Sequence, residues 1–317
     1  MRKDLIRDVR AVLAQAGYCL SEETPVRPVS FDLVARRDSE LLIVKVLANI
    51  DAFTESLGQE MRTLAKFLEA RALLVGERSS GGPLEGGVAY VRHGIPLVSV
   101  ETLQEHLLEG VPPLVYAAPG GFYVNVDGAR LRALREQRSL SLGQVAEAAG
   151  VSRRAVRMYE DGMGVLVDVA SRLEEFLQEP LVEPVDLFSK ARWKDEPARE
   201  LASVREAMTR EVLATLDRLG YMVAPTERSS FEALSRDADV LILTGVGKPE
   251  QDVRGKAQTV ASLARVMERP GVLVLRARKT RLSIEGVAVI EQSELEGMAD
   301  RAKVVETIKD RTKTRVD

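Results

Sequence analysis

One cysteine, two histidines, one tryptophan and two asparagines are all that 317 residues hold of those types, and each scarcity excludes something. Cys19 alone cannot build a disulfide framework within the chain or a multi-cysteine metal site. With His93 and His106 the only imidazoles, a structural zinc site would have to lean on carboxylates. No metal and no cofactor is therefore expected. Cys19 lies in the apolar run Gly-Tyr-Cys-Leu and is expected to be a buried, inert thiol. No stretch approaches the roughly 20 apolar residues that a membrane helix needs, and the best run, residues 41–50, is interrupted by Lys45. The opening MRKDLIRDVR has no apolar core of the kind a signal peptide needs. A cytoplasmic chain without a membrane partner is the expectation. Few asparagines together with arginine-rich charge usage point to a hot-living source.

Charge of one sign is also missing. Forty-five Lys and Arg stand against 48 Asp and Glu, a net charge of −3. A chain that is basic all over is excluded, and any nucleic-acid contact must come from a local patch. What is present is 45% hydrophobic residues spread along the whole chain, too many for long disorder. The length suits two or three domains.

The chain repeats itself. VLAQAGYCL near Val12 returns as VLATLDRLGYMV near Val212, and SFDLVARRDSELLIV from Ser30 as SFEALSRDADVLIL from Ser230. LAKFLEARALLVGER from Leu64 returns as LARVMERPGVLVLRAR from Leu263, and GGVAYV from Gly86 as EGVAVI from Glu285. The four blocks keep their order and an offset near 200 residues, so the reading is a duplicated domain. Each copy opens with an amphipathic helix, on Leu5, Ile6, Val9, Val12, Leu13 and Ala16 in the first, ended by Gly17. Strand-like runs follow at residues 31–36 and 40–47, then a helix over residues 52–70 carrying Phe53, Leu57, Met61, Leu64, Ala65 and Leu68. Short strands at 72–76, 88–92 and 97–100 close the unit. Ser80-Gly81-Gly82-Pro83 reads as a hairpin loop between strands. The order α-β-β-α-β-β implies a mixed sheet covered by helices.

The fold class is thus α/β plus all-α. Domain boundaries are expected at 1–112 for the first α/β copy, 113–127 for a linker, 128–178 for a central helical domain, 179–199 for a Pro-containing linker and 200–317 for the second copy. Trp193, in the second linker, would pin it against a neighbouring domain. The basic tail, with six Lys and Arg against Glu306, Asp310 and Asp317, reads as a solvated helix end.

The central segment carries four to five short helical signals. Leu131 and Leu134 point inward from an arginine-rich first helix. Ser141 caps a second helix with Val145, Ala146 and Ala149 inward, and Gly150 ends it. Ser152 caps a third helix that holds Val156 inward. A fourth, from Val165, turns Val169, Leu173, Phe176 and Leu177 to one side. Helix, glycine-containing turn, helix is the helix-turn-helix pattern, whose second helix meets base edges in the major groove with its N-terminal residues. Those places hold Arg153 and Arg154, with Arg157 one turn later. Arginine suits both bidentate contact with guanine and phosphate contact. Seven arginines face four carboxylates between Gly128 and Met163, so a local positive surplus falls where the motif would use it.

RSLSLGQVAEAAGVSRRAVRMYEDG resembles the Cro/C1-type (XRE) helix-turn-helix. Ala146, Gly150-Val151-Ser152 and Tyr159-Glu160-Asp161-Gly162 occupy the family's characteristic places. The resemblance implies base reading by Arg153, Arg154 and Met158, with Ser152 as the cap. Leu142 stands where the family often has a glutamine that bonds phosphate, which implies a differently anchored docking. The whole chain, including FDLVARRDSELLIVKVLANIDAF and GGFYVNVDGARLRALR, is similar to the archaeal helix-turn-helix-type transcriptional regulatory proteins. A DNA-binding regulator is what that similarity implies.

An acidic residue on one strand followed by Glu-x-Lys on the next is the metal-dependent nuclease pattern of restriction-endonuclease-like and resolvase folds. Asp32 and Lys45 fit it, but Ile43 fills the glutamate position. The second copy has Glu232, Leu243 and Gly245 at the three places. Neither set is complete, so degenerate nuclease-like domains without enzymatic activity are expected, with Lys45 snorkelling at a sheet edge. The function expected is sequence-specific duplex-DNA binding by a homodimer, its two heads about one helical turn or roughly 34 Å apart on a near-palindromic site. Ser152, Arg153, Arg154, Arg157, Met158, Ser141, Arg130 and Arg138 would make the contacts. The alternative is a non-enzymatic adaptor whose α/β domains bind RNA, a ribosome or a protein partner.

Overall fold

The computed structural model describes residues 2–22, 30–188, 200–247, 252–276 and 281–313. Helix α1 (Arg2–Gln15) is followed by strands β1 (Cys19–Leu20), β2 (Leu33–Arg37) and β3 (Glu40–Asn49). Next come α2 (Glu55–Leu68), β4 (Arg71–Ser79), β5 (Gly82–Pro83), β6 (Val88–Arg92), β7 (Ile95–Val98) and α3 (Val100–Gln104). The middle holds β8 (Val115–Ala118), β9 (Gly121–Val126), α4 (Gly128–Gln137), α5 (Leu142–Ala149), α6 (Arg153–Glu160), β10 (Val165–Leu166), α7 (Val167–Leu177) and β11 (Val182–Glu183). The last part runs α8 (Ala207–Arg218), β12 (Met222–Pro225), β13 (Ala233–Arg236), β14 (Leu241–Gly247), α9 (Val253–Met267), β15 (Gly271–Leu275), β16 (Ser283–Ile284), β17 (Val287–Glu291), α10 (Gln292–Glu296) and α11 (Arg301–Lys313). None of the described helices is long and apolar enough to cross a membrane.

Capping and spacing explain the main helices. Thr54 accepts a hydrogen bond from the Leu57 N–H at the start of α2, and Leu57, Met61, Leu64, Ala65 and Leu68 form its buried stripe. Asp252 caps α9 in the same way through Gly255, and Ala257, Val260, Leu263, Val266 and Met267 are buried. Both helices end on a glutamate in the left-handed region, Glu69 at φ 54° and Glu268 at φ 52°. Each α/β half also opens with a strand that the sequence pattern did not imply, β1 before β2 and β12 before β13. These strands are short and begin directly after a helix-ending glycine, so their alternation is too brief to register as periodicity.

The chain divides into two compact units, one of Met1–Val12, Leu47–Ala52 and Leu74–Ser189, the other of Leu13–Val46, Phe53–Leu73 and Lys190–Asp317. In the second unit β1, β2 and β3 form an antiparallel meander, with Cys19 opposite Arg36 and Leu33 opposite Val44. The same unit holds a six-stranded mixed sheet in the order β12-β13-β14-β15-β17-β16, parallel from β14 through β15 to β17. Its core gathers Val212, Leu213 and Leu216 of α8, Ile242 and Val246 of β14, Val272 and Val274 of β15 and Ile308 of α11. Cys19 is exposed, contrary to the buried thiol expected from its apolar neighbours. Side chains alternate faces along a strand, and Tyr18 takes the buried side instead.

In the first unit β4 and β7 are parallel, β7 and β6 antiparallel, and β6 and β8 parallel. Residues 113–127, expected to be a linker, instead carry the β8–β9 hairpin, registered from Val115↔Val124 to Ala118↔Gly121. Pro119 and Gly120 form its turn, so the Pro-Gly-Gly cluster punctuates a hairpin and not a domain break. β10 and β11 both add to β9, pairing at Val165↔Val124 and Val182↔Val126. Residues 78–83 form the expected hairpin, Arg78 opposite Pro83. Val165 therefore starts a strand and not a helix, and Phe176, expected inward on α7, is 39% exposed. Trp193 and residues 314–317 of the tail lie outside the described residues, while α11 accounts for most of that tail.

Gly128, at the start of α4, packs against the end of α6. A Cβ there would stand 2.5 Å from the Tyr159 carbonyl oxygen and 2.6 Å from that of Glu160. Backbone cannot yield cheaply, so Gly128→Ala is expected to destabilise the helical head by ~1–3 kcal/mol. Denaturant unfolding followed by circular dichroism would measure it, and an unchanged midpoint would contradict this packing.

Candidate nucleic-acid interface

Helices α4 to α7 close around Leu131, Val145, Ala146, Ala149, Val156, Tyr159, Val169, Leu173 and Leu177, together with Val124 and Val126 of β9. Ser141 caps α5 by accepting the Gln144 N–H, and the Gln144 side chain accepts the Ser141 N–H at 2.8 Å in return. This reciprocal box satisfies two orphan donors. Gly150 closes α5 at φ 70°, and Ser152 opens α6 by accepting the Ala155 N–H at 3.1 Å. Arg172 of α7 donates to the Ala149 carbonyl at 2.9 Å, tying the end of α5 to the bundle.

Only Val156, Tyr159 and Glu160 of α6 are buried. Arg153 and Arg157, and beside them Arg154 and Met158, form an exposed face at helical i, i+4 spacing. Among the described residues the guanidinium groups of Arg153, Arg154 and Arg157 make no hydrogen bond or ion pair. Arg138, at the exposed end of α4, is likewise without a partner. Gly143 of α5 makes room for Arg153: a Cβ there would lie 3.1 Å from its Nε. The absent side chain at Gly143 had no periodicity signal and is visible only once α5 and α6 are packed.

The other arginines of the head are committed internally. Arg135 donates to Glu160 at 2.5 Å, and Arg132 donates both to Glu160 at 3.2 Å and to Asp161 at 3.0 Å. Arg130 pairs with Glu179 at 2.7 Å. Only 2% of the Glu160 side chain is exposed. Burial pushes its pKa up, but the hydrogen bonds from Arg135 and Arg132 and their charges outweigh it and hold the carboxyl below its ordinary 4.5. The same contacts raise both arginines. Of the eight residues expected to touch nucleic acid, Ser152, Arg153, Arg154, Arg157 and Met158 thus share α6 and its cap. Ser141 and Arg138 lie on neighbouring helix ends, and Arg130 is held in an ion pair.

The nuclease-like positions lie in the second unit. Lys45 is 6% exposed and its Nζ stands 3.5 Å from Asp32, itself 6% exposed. It is a buried ion-pair partner, not the snorkelling edge lysine expected, because β3 carries buried residues on both faces. The Val46 N–H donates to Asp32 at 2.8 Å, and the Val246 N–H donates to Glu232 at 2.6 Å. The lysine that meets Glu232 comes from a helix: Lys256 of α9 donates to it and to the Val246 carbonyl. Strand spacing could not reveal Lys256, since its role has moved to another element. Burial raises the Glu232 pKa, with Lys256 pulling the other way. Where a second carboxylate would be needed stand Ile43 and Leu243, both fully buried. No cluster of three or more His, Cys, Asp or Glu suited to a metal occurs among the described residues. A divalent cation needs several oxygen ligands at one point, so these residues do not fit one.

A helix-turn-helix bundle with an unpaired basic helix, accompanied by a nuclease-like α/β fold, defines a DNA-binding protein of the Cro/C1-type class. The helix-turn-helix family matches residues 131–183, and the PD-(D/E)XK superfamily domain matches residues 2–113. Proteins named "Putative HTH-type transcriptional regulatory protein" resemble the chain over nearly its whole length. The one from Natronomonas pharaonis is 40% identical over 316 residues, 98% of this chain and 98% of the relative. That from Methanocella arvoryzae is 38% identical over 97% of this chain and 96% of the relative, and that from Methanosarcina acetivorans 38% over 98% and 97%. The chain belongs to this archaeal family of transcriptional regulatory proteins.

Glu160 gives the head a pH dependence. A carboxyl whose pKa is depressed on folding contributes stability above its unfolded pKa, and that contribution is lost as the pH falls through the folded value. Glu160→Gln should lower stability by ~1–3 kcal/mol at pH 7. The gap between variant and parent should close as pH drops below about 4.5, the ordinary value. Thermal melts from pH 7 to pH 3 would show a constant gap if the ion cluster were not its source.

Proposed function

We propose that this regulator binds duplex DNA sequence-specifically, with α6 in the major groove, Arg153 and Arg154 on base edges and Arg157 and Arg138 on phosphates. One observation carries the reading. The head's internal carboxylates are used on Arg130, Arg132 and Arg135, while the arginines of α6 stay exposed and unpaired. An unpaired basic helix face, preceded by a capped turn, suits a polyanion whose groove admits a helix. Met158, beside Arg154, offers an apolar contact for a thymine methyl. Ser152 and Ser141 cap the N-termini of α6 and α5, where phosphate oxygens are favoured.

The reading includes a domain plan of two α/β copies at 1–112 and 200–317 around a reading head at 128–178. Support for the duplication comes from equivalent details. Phe31 and Phe231 are each 1% exposed, the two left-handed glutamates end equivalent helices, and Asp32 and Glu232 each accept an N–H fourteen residues on. The reading also makes the chain a non-enzyme acting in the cytoplasm, where its DNA is. Ion-paired carboxylates lacking second ligands are poor metal sites.

Selection from randomised duplex DNA at about 0.15 M salt, a condition that fixes the phosphate contribution, should enrich one motif. Arg153→Ala should cost ~1–3 kcal/mol on that motif and little on random DNA, whereas Arg157→Ala should weaken both alike and reduce the salt slope by about 1. An equal loss on both from Arg153→Ala would remove the base-reading role. Enrichment of structured RNA in place of duplex DNA would overturn the reading as a whole. With Mg²⁺ or Mn²⁺ present, supercoiled and branched DNA should remain uncut; cleavage lost in Asp32→Ala would show an enzyme.

A further inference from the structure

The second unit brings elements of both α/β halves together, and the contacts come in reciprocal pairs. Arg36 of β2 meets Glu268 at the end of α9 at 2.7 Å, and Arg236 of β13 meets Glu69 at the end of α2 at 2.7 Å. Helix α9 packs on β2, and α2 packs on β13. Between them Phe31 and Phe231 face each other with ring centroids 6.5 Å apart. Around this centre Ser30 donates its N–H to the Arg228 carbonyl at 2.7 Å, while Glu60 of α2 accepts from Arg228 N–H and Ser229 Oγ at 3.0 and 3.1 Å.

When residue i of one body touches j of another, and the equivalent of j touches the equivalent of i, the contact is isologous, the form that two-fold homodimers take. We propose that the two α/β halves of one chain form such a pair with each other, an intramolecular pseudo-dimer, so that the regulator works as a single chain with one reading head on one asymmetric site.

The backbone supplies an independent argument. Glu69 and Glu268 occupy left-handed positions at φ 54° and 52°, where glycine is the favoured residue. What glutamate adds there is a side chain, and in each half that side chain goes to the arginine of the other. These ion pairs are partly exposed, with the glutamates 66% and 70% open, so they fix register more than they supply affinity. Burial of Phe31 and Phe231 and helix-on-strand packing hold the halves together. All of this surface is covered within one chain. The sequence led to the expectation of a homodimer, and a second chain has no use for this surface while the first half occupies the second. Only the asymmetric DNA site rests on the base-reading role of α6; the pairing does not.

The test is made without DNA. In a Cys19→Ser background, Arg36→Cys and Glu268→Cys place one thiol on each half, and a short bis-maleimide is added to the full chain at low micromolar concentration. The product expected has the mass of one chain, confirmed by peptide mapping of a 36–268 link. A two-chain product would overturn the proposal, as would absence of any link in a correctly folded variant. Light scattering of the unmodified chain provides the second measurement. One chain per particle across a hundredfold concentration range is expected, and a stable dimer would overturn it. A single-chain particle that selects no DNA motif would remove the base-reading role and leave the pseudo-dimer standing.

Discussion

A carboxylate taken out of water must meet a cation or lose its charge, and this constraint organises the molecule. Glu160 meets Arg135 and Arg132, Asp32 meets Lys45, and Glu232 meets Lys256. In the head the pairing joins the end of α6 to α4 across a backbone approach that only Gly128 permits. In the α/β halves it anchors β3 or α9 to the residue just ahead of β2 or β13. Removing either partner would leave an uncompensated charge in the interior.

The same constraint divides the arginines of the head into two groups. Arg132 and Arg135 are balanced by Glu160 and Asp161, and Arg130 by Glu179, so none contributes an unpaired charge to the surface. Arg138, Arg153, Arg154 and Arg157 are left facing solvent. The exposed charge of the head is therefore more concentrated on α6 than its composition implies. β9 carries β8, β10 and β11 along its length, so the bundle is mounted on a small sheet continuous with β6 through β8, and α4 and α7 start from strand ends.

In the two α/β halves the acidic positions are balanced in parallel ways. Each keeps one acid, and that acid is held by an N–H from the neighbouring strand and by a lysine, from a strand in one half and a helix in the other. The charge balance is preserved while the donating element changes. Ile43 and Leu243, where the nuclease pattern would have a second carboxylate, contribute apolar burial to the core.

Helix ends and helix faces were legible in the sequence, because capping and periodicity are short-range. Ser141, Gly150 and Ser152 mark helix ends that depend on neighbours within four residues, and the repeated blocks led to the expectation of a shared element order. Arg153, Arg154 and Arg157 were legible on the same ground, as positions on a helix following a capped turn. Burial and partnership were decided only by the tertiary structure. Lys45 is buried because both faces of β3 are covered, Cys19 is exposed because its strand turns it outward, and Arg130 is spent on Glu179, 49 residues away. Residues 113–127 became a hairpin with β6, β10 and β11 as partners on its edges, and Glu69 and Glu268 acquired a purpose only when each met an arginine of the other half. Contacts of that kind depend on which surfaces the folded chain brings together, and no spacing along the sequence encodes the distance between them.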